Sequence, residues 1–158
     1  MKDVTFLIKT FERPYCVKRL VKSIYRYYPD AKVLIADDSR GKSCRQYFTE
    51  HFSSKDITVF ELEQDQGLSF GRNYLVDRVE TPYFVLLDDD FVFDSKTDIK
   101  GALDIFEEKD LDILGGYVRN YAYVSGLISL AKLAVQNSIR YSKPANYMGT
   151  FYYCEEEH

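Results

Sequence analysis

The chain is poor in the residue types that anchor several common kinds of chemistry, and each scarcity removes a class of function. Its three cysteines, Cys16, Cys44 and Cys154, are odd in number and widely spaced, with no Cys-x-x-Cys pair. That suggests neither a disulfide framework nor a zinc site, and fits reduced thiols in a cytosol-like compartment. Only two histidines are present, His51 and His158, and His51 falls at the end of a predicted helix, where it reads as a surface or capping residue. No apolar stretch approaches the length of a membrane span, and the start MKDVTFLIKTFERP lacks the apolar region and cleavage site of a signal peptide. A cytoplasmic chain is expected, soluble or peripheral to a membrane. Positive charge is not in excess either: the net charge of −4 argues against nucleic acid as a partner, while leaving room for a local basic patch around a phosphate-bearing ligand.

What the chain does have is core material, 46% apolar residues and 16% aromatics over 158 residues, which suits one compact domain. Val4 to Lys9 reads as a buried strand. Pro14 follows at a place where the first turn of a helix tolerates a missing N–H, and Val17, Leu20, Val21 and Ile24 recur on one helical face over Tyr15 to Tyr28. Lys32 to Ala36 and Ile57 to Leu62 are further strands, separated by a helix over Arg45 to Phe52. A third helix spans Phe70 to Val79 with Ser69 as N-cap, and Thr81-Pro82 breaks it before the apolar strand that opens at Tyr83. Ile99, Leu103 and Phe106 mark a fourth helix, Leu111 to Leu114 a fifth strand, and Leu127 to Val135 a further helical stretch. Alternation of this kind predicts an α/β fold, a mostly parallel sheet flanked by helices, with ligands bound outside the carboxyl ends of the strands. Residues 1–118 are expected to form the ligand-binding α/β region, and 119–158 a further portion or tail of the same domain.

Four features fall at such ends. Thr10-Phe11-Glu12-Arg13 follows the first strand. Asp37-Asp38-Ser39 follows the second and offers acceptors for a nucleobase imide or a ribose hydroxyl. Gly67-Leu68-Ser69-Phe70-Gly71-Arg72-Asn73 opens a helix with glycines that permit close backbone approach and an arginine suited to phosphate. Asp88-Asp89-Asp90 ends the fourth strand. Crowded carboxylates call for a compensating cation, and the spacing of Asp88 and Asp90 places both on one side of an extended chain. Taken singly, each feature is an ordinary turn, cap or surface charge; their order along the alternating pattern is what selects a ligand site. A receiver domain fails on position, because a complete strand and helix precede Asp37-Asp38. An aspartate-based phosphatase would follow its acidic motif with Gly-Thr, whereas Phe91-Val92 stand here.

Ile35-Ala36-Asp37-Asp38-Ser39, Phe70-Gly71-Arg72-Asn73, Leu87-Asp88-Asp89-Asp90-Phe91-Val92-Phe93 and Leu111-Asp112-Ile113-Leu114-Gly115-Gly116 resemble, in order and spacing, GT-A glycosyltransferases of the β-1,4-N-acetylgalactosaminyltransferase (ganglioside GM2/GD2 synthase) type. The resemblance covers roughly Val4 to Val118 and implies the nucleotide-sugar half of such an enzyme. It implies a UDP-sugar donor, a glycan or glycolipid acceptor, transfer with inversion, and Mn²⁺ or Mg²⁺. Donor contacts would come from Thr10, Arg13, Asp37, Asp38, Gly71, Arg72, Asp88 and Asp89, with Asp37 or Asp38 on the uracil, and the metal would be held by Asp88 and Asp90. The chain departs from the family in its catalytic base, which relatives take from an acidic segment well beyond the triplet. Glu155, Glu156 and Glu157 lack the surrounding context and are not equated with it, so the base is unassigned. A truncated GT-A sheet that pairs with a second copy, or a non-catalytic nucleotide-sugar module, follows from the same gap.

Overall fold

The computed structural model describes residues 1–41, 43–120 and 150–153, with backbone alone for 117–120 and 150–153. The chain divides into two compact units, Met1–Val92 and Phe93–His158.

The first unit is built on four parallel strands, β1 (Val4–Thr10), β2 (Lys32–Asp37), β3 (Ile57–Glu61) and β4 (Tyr83–Asp88), in the order β3-β2-β1-β4. All seven residues of β1 are buried, as a strand with neighbours on both sides and helices over both faces requires. Helices α1 (Pro14–Tyr27), α2 (Arg45–His51) and α3 (Leu68–Val76) connect the strands. Pro14 occupies the first turn of α1, where its missing N–H costs nothing, and Cys16, Val17, Leu20, Val21 and Ile24 form the buried side of that helix. Strand residues alternate between faces, so Leu7, Leu34 and Ala36 meet Leu75 of α3 in one cluster, while Phe6, Ile8, Val33 and Ile35 point the other way. Phe6 lies 6.1 Å, ring to ring, from Tyr28 at the end of α1.

Two local expectations are corrected. Ser69 is not the cap of α3: the helix starts at Leu68, and Gly67, at φ +85°, is its N-cap, a backbone conformation that disfavours a side chain. Leu111 to Leu114 form no strand; Ile113 and Leu114 are exposed, and an apolar run without a strand to pair with has nothing to order it.

The second unit contains α4 (Ile99–Glu108), capped by Asp98, whose carboxylate accepts the Gly101 N–H at 2.8 Å. Its strands β5 (Tyr117–Asn120) and β6 (Thr150–Tyr153) pair in parallel, Tyr117 opposite Thr150. The stretch Leu127 to Val135, the acids Glu155 to Glu157, Cys154 and His158 lie outside the described residues. Among the described residues no helix is long and apolar enough to cross a membrane.

Candidate functional site

Strand order reverses between β1 and β4, since β2 follows β1 on one side and β4 lies on the other. The loops leaving the carboxyl ends of β1 and β4 therefore diverge and open a crevice, the usual binding place in an open α/β sheet. Thr10, Arg13, Asp89 and Asp90 meet there. Thr10 Oγ1 donates to Asp89 Oδ2 at 2.7 Å, and one Arg13 nitrogen lies 2.8 Å from Asp89 Oδ1 and hydrogen-bonds Asp90 Oδ2. Both acids are nearly inaccessible, whereas Arg13 keeps a third of its side chain in solvent. Burial pushes the Asp89 carboxyl up to about 6, against the opposing pull of Thr10 and Arg13, and raises Asp90 as well. Burial alone would lower the Arg13 guanidinium, but the two carboxylates outweigh it and hold it above its ordinary value.

Strand alternation does not extend through the triplet. Strand β4 ends at Asp88, and the chain turns there, with the Phe91 N–H donating to the Asp88 carbonyl at 3.2 Å. Asp88 and Asp90 consequently face different arginines: Asp90 pairs with Arg13, while Asp88 pairs with Arg72 of α3 at 2.5 Å. The Arg72–Asp88 pair is the accessible one, with side chains 33% and 49% exposed. Two half-exposed charges of opposite sign, paired with each other, suit a diphosphate and its counter-cation. The donor set is hard carboxylate oxygen, which fits Mg²⁺ or Mn²⁺. Among the described residues no three ligating side chains gather at one point, and such a cation needs only one or two carboxylates when substrate phosphates supply the rest.

At the β2 corner, Asp37 and Asp38 do different work. Asp37 Oδ1 accepts from the Ser39 N–H at 3.1 Å and the Ser39 hydroxyl at 2.6 Å, and Oδ2 accepts from the Cys44 N–H at 2.8 Å. Asp38 is fully buried; it pairs with Lys9 Nζ through Oδ1 and accepts the Gly67 N–H at 3.1 Å through Oδ2. Lys9 also donates to the Thr10 carbonyl at 3.0 Å. A carboxylate so enclosed anchors the loop before α3 and is not presented to a ligand. Burial and Asp37 together raise the Cys44 thiol well above its usual range, which leaves it unreactive.

Gly71 was expected to admit a ligand's close approach. It admits Lys9 instead: a Cβ at Gly71 would sit 2.6 Å from Lys9 Cδ. Lys9 is the residue that sequence reasoning missed. A charged residue at the core position of a buried strand, one turn of pleat before the loop, was the available signal. Glu12, within the first loop, ties it to the second: at φ 57°, its N–H donates to Ser39 Oγ at 2.8 Å, and its carboxylate accepts the Arg40 N–H at 2.7 Å. His51, exposed on α2, is remote in role, stacked on Tyr47 at 4.4 Å.

Comparison with known proteins agrees with this arrangement. A family model described as Glycosyl transferase family 2 matches residues 5–157. Beta-1,4 N-acetylgalactosaminyltransferase 2 of Mus musculus is 37% identical over 122 residues, covering 76% of this chain and 22% of that protein. Beta-1,4 N-acetylgalactosaminyltransferase 1 of Homo sapiens is 37% identical over 116 residues, 73% of this chain and 20% of its own length. This chain thus spans about a fifth of the length of the curated relatives it matches. Among solved structures, S. aureus TarS in complex with UDP-GlcNAc superposes with a TM-score of 0.66 at 16% identity, over 79% of this chain and 37% of that one. At that identity the likeness is one of fold.

Proposed function

From the premise that this chain belongs to glycosyl transferase family 2 and has the GT-A arrangement of a parallel sheet flanked by helices, we propose that it binds a UDP-sugar and serves its transfer, with inversion, to a glycan or glycolipid acceptor. The names of its relatives make N-acetylgalactosamine the proposed sugar. The observation that carries the reading is the accessible Arg72–Asp88 pair together with Arg13 over the buried Thr10, Asp89 and Asp90, at the crevice where the sheet order reverses.

In this reading Arg72 and Arg13 would bind the diphosphate, and Asp88 and Asp90 would hold the cation, Mn²⁺ or Mg²⁺, beside it. Bound there, the cation supplies Lewis-acid stabilisation of the charge left on the diphosphate as the sugar departs. Asp89, held by Thr10, keeps the turn in place. The base end of the donor is assigned to the β2 corner, with Asp37 as acceptor of the uracil imide, while Asp38 stays committed to Lys9.

Calorimetric titration with UDP and CDP, with Mn²⁺ and with excess chelator, tests this. Tighter UDP binding with Mn²⁺, lost in Asp88→Ala, is expected. Equal affinity with chelator overturns the metal reading, and equal affinity for CDP overturns uracil recognition at Asp37. Donor binding without turnover in any acceptor mixture would instead mark a nucleotide-sugar-binding module.

A further inference from the structure

Helix α1 carries Lys18, Arg19, Lys22 and Arg26 and not one acid, in a chain whose net charge is −4. At 100° per residue, Tyr15, Lys18, Lys22 and Arg26 fall within about 80° of one another, opposite the face that buries Val17, Leu20 and Ile24. Lys22 and Arg26 are exposed, and Tyr15 is 71% exposed. Elsewhere in this unit Lys9, Arg13, Lys32, Arg40, Arg45 and Arg72 each lie within 4.0 Å of a carboxylate. Among the described residues Lys18, Lys22 and Arg26 have no such partner; Lys2, Arg19, Lys55 and Arg78 lack one as well, but only α1 sets three such cations in a row on one face. Their neighbours are rings: Lys18 Nζ sits 4.1 Å and Lys22 Nζ 5.9 Å from the centre of Tyr47 on α2, and Arg26 packs 5.8 Å from Tyr27. Glu50, the acid of α2, is bonded to Gln46 at 2.8 Å.

We infer that this face of α1, with Tyr47 beside it, docks the protein on an anionic bilayer surface. A row of uncompensated cations on an amphipathic helix attracts anionic headgroups, and tyrosines with an apolar body and polar tip suit the same depth. The patch is a convex helix face and not a groove, and the negative charge of the rest of the chain would repel a polyanion that wrapped beyond it. A planar surface meets only the face presented to it. Because α1 begins next to Arg13, docking sets the donor crevice beside the headgroups, where a lipid-linked acceptor would stand. The inference goes beyond donor binding and does not depend on it.

Sedimentation of the chain with vesicles of phosphatidylcholine, and of phosphatidylcholine mixed with phosphatidylglycerol, tests the inference at low and high salt. Binding to the mixed vesicles alone, weakened by salt, is expected, and Lys22→Glu with Arg26→Glu should reduce it about tenfold or more. Both positions are exposed on the helix, so the double variant should fold; UDP affinity measured alongside should be unchanged, which separates this result from the donor site. Tyr15→Ser gives a second reading and should weaken binding without altering its salt dependence. Equal binding to neutral vesicles, an unaffected double variant, or binding to single-stranded RNA or heparin with no vesicle binding would each overturn the proposal.

Discussion

Replacing Lys9 by methionine keeps the length of the side chain but leaves Asp38 fully buried without its cation, and breaking a buried pair in this way costs about 3–5 kcal/mol. Urea unfolding of Lys9→Met measures the loss, and Lys9→Met with Asp38→Asn should recover much of it. Gly71→Ala attacks the same anchor sterically, pushing on a lysine stem that its ion pair prevents from moving aside; overpacking of this kind costs about 1–3 kcal/mol. Asp89 makes a pH-dependent prediction. Its folded-state pKa of about 6 stands above the ordinary 3.8, so the folded protein holds that proton more tightly than the unfolded chain does. The stability this contributes is complete below about pH 4 and lost as the pH rises through about 6. Asp89→Asn has no proton to lose there, so it should gain on the native chain across that window by roughly 2–3 kcal/mol. Unfolding both proteins at several pH values checks this; parallel profiles would show that Asp89 titrates normally.

Helix α3 brings Arg72 to the site because of how it begins. Gly67 turns with φ +85° and donates to Asp38, and Gly71 lets the first turn lie against Lys9. Gly67→Ala, with open space around its Cβ but an unfavourable φ, should cost about 1 kcal/mol and loosen Arg72. Its signature is a weaker UDP affinity with a fold that melts only slightly earlier. Strand β4 sets the opposite side of the crevice. It is the outer strand of the four, and Phe84 and Leu86 are 44% and 43% exposed on the face they share with Leu7. The other outer strand, β3, is protected, since Arg45 donates through Nε and Nη2 to the Val59 carbonyl at 3.2 and 2.8 Å.

At the scale of the whole molecule, that asymmetry makes the β4 side the place where a second copy would associate. Sedimentation velocity should show concentration-dependent association that Leu86→Lys weakens and Arg45→Gln does not; a strictly monomeric native chain would refute it. Charge is arranged unevenly too, with a row of cations and no acid along α1, while Asp37, Asp38, Asp88, Asp89 and Asp90 stand at the carboxyl edge of the sheet. One molecule thus presents different chemistry on its flank and at its crevice.

The order of the first four strands and the helices between them, the parallel sheet and the four loops at its carboxyl edge were legible in the sequence, because period, proline position and turn composition are local properties; the strand expected at Leu111 to Leu114 was not borne out. So was the family, carried by motifs with fixed spacing. Which acid faces which partner was not legible. Strand period placed Asp88 and Asp90 together, but the turn after Asp88 sends Asp90 to Arg13, a residue 77 positions away, and that pairing exists only because β1 and β4 are neighbours. In the same way, Asp37 and Asp38 are adjacent in sequence yet enter opposite faces of the chain, one closing its own loop and the other meeting Lys9 from β1. Local signals specify elements; ion pairs between distant segments depend on the strand order and on burial, which raises the cost of any unpaired charge until a partner is found.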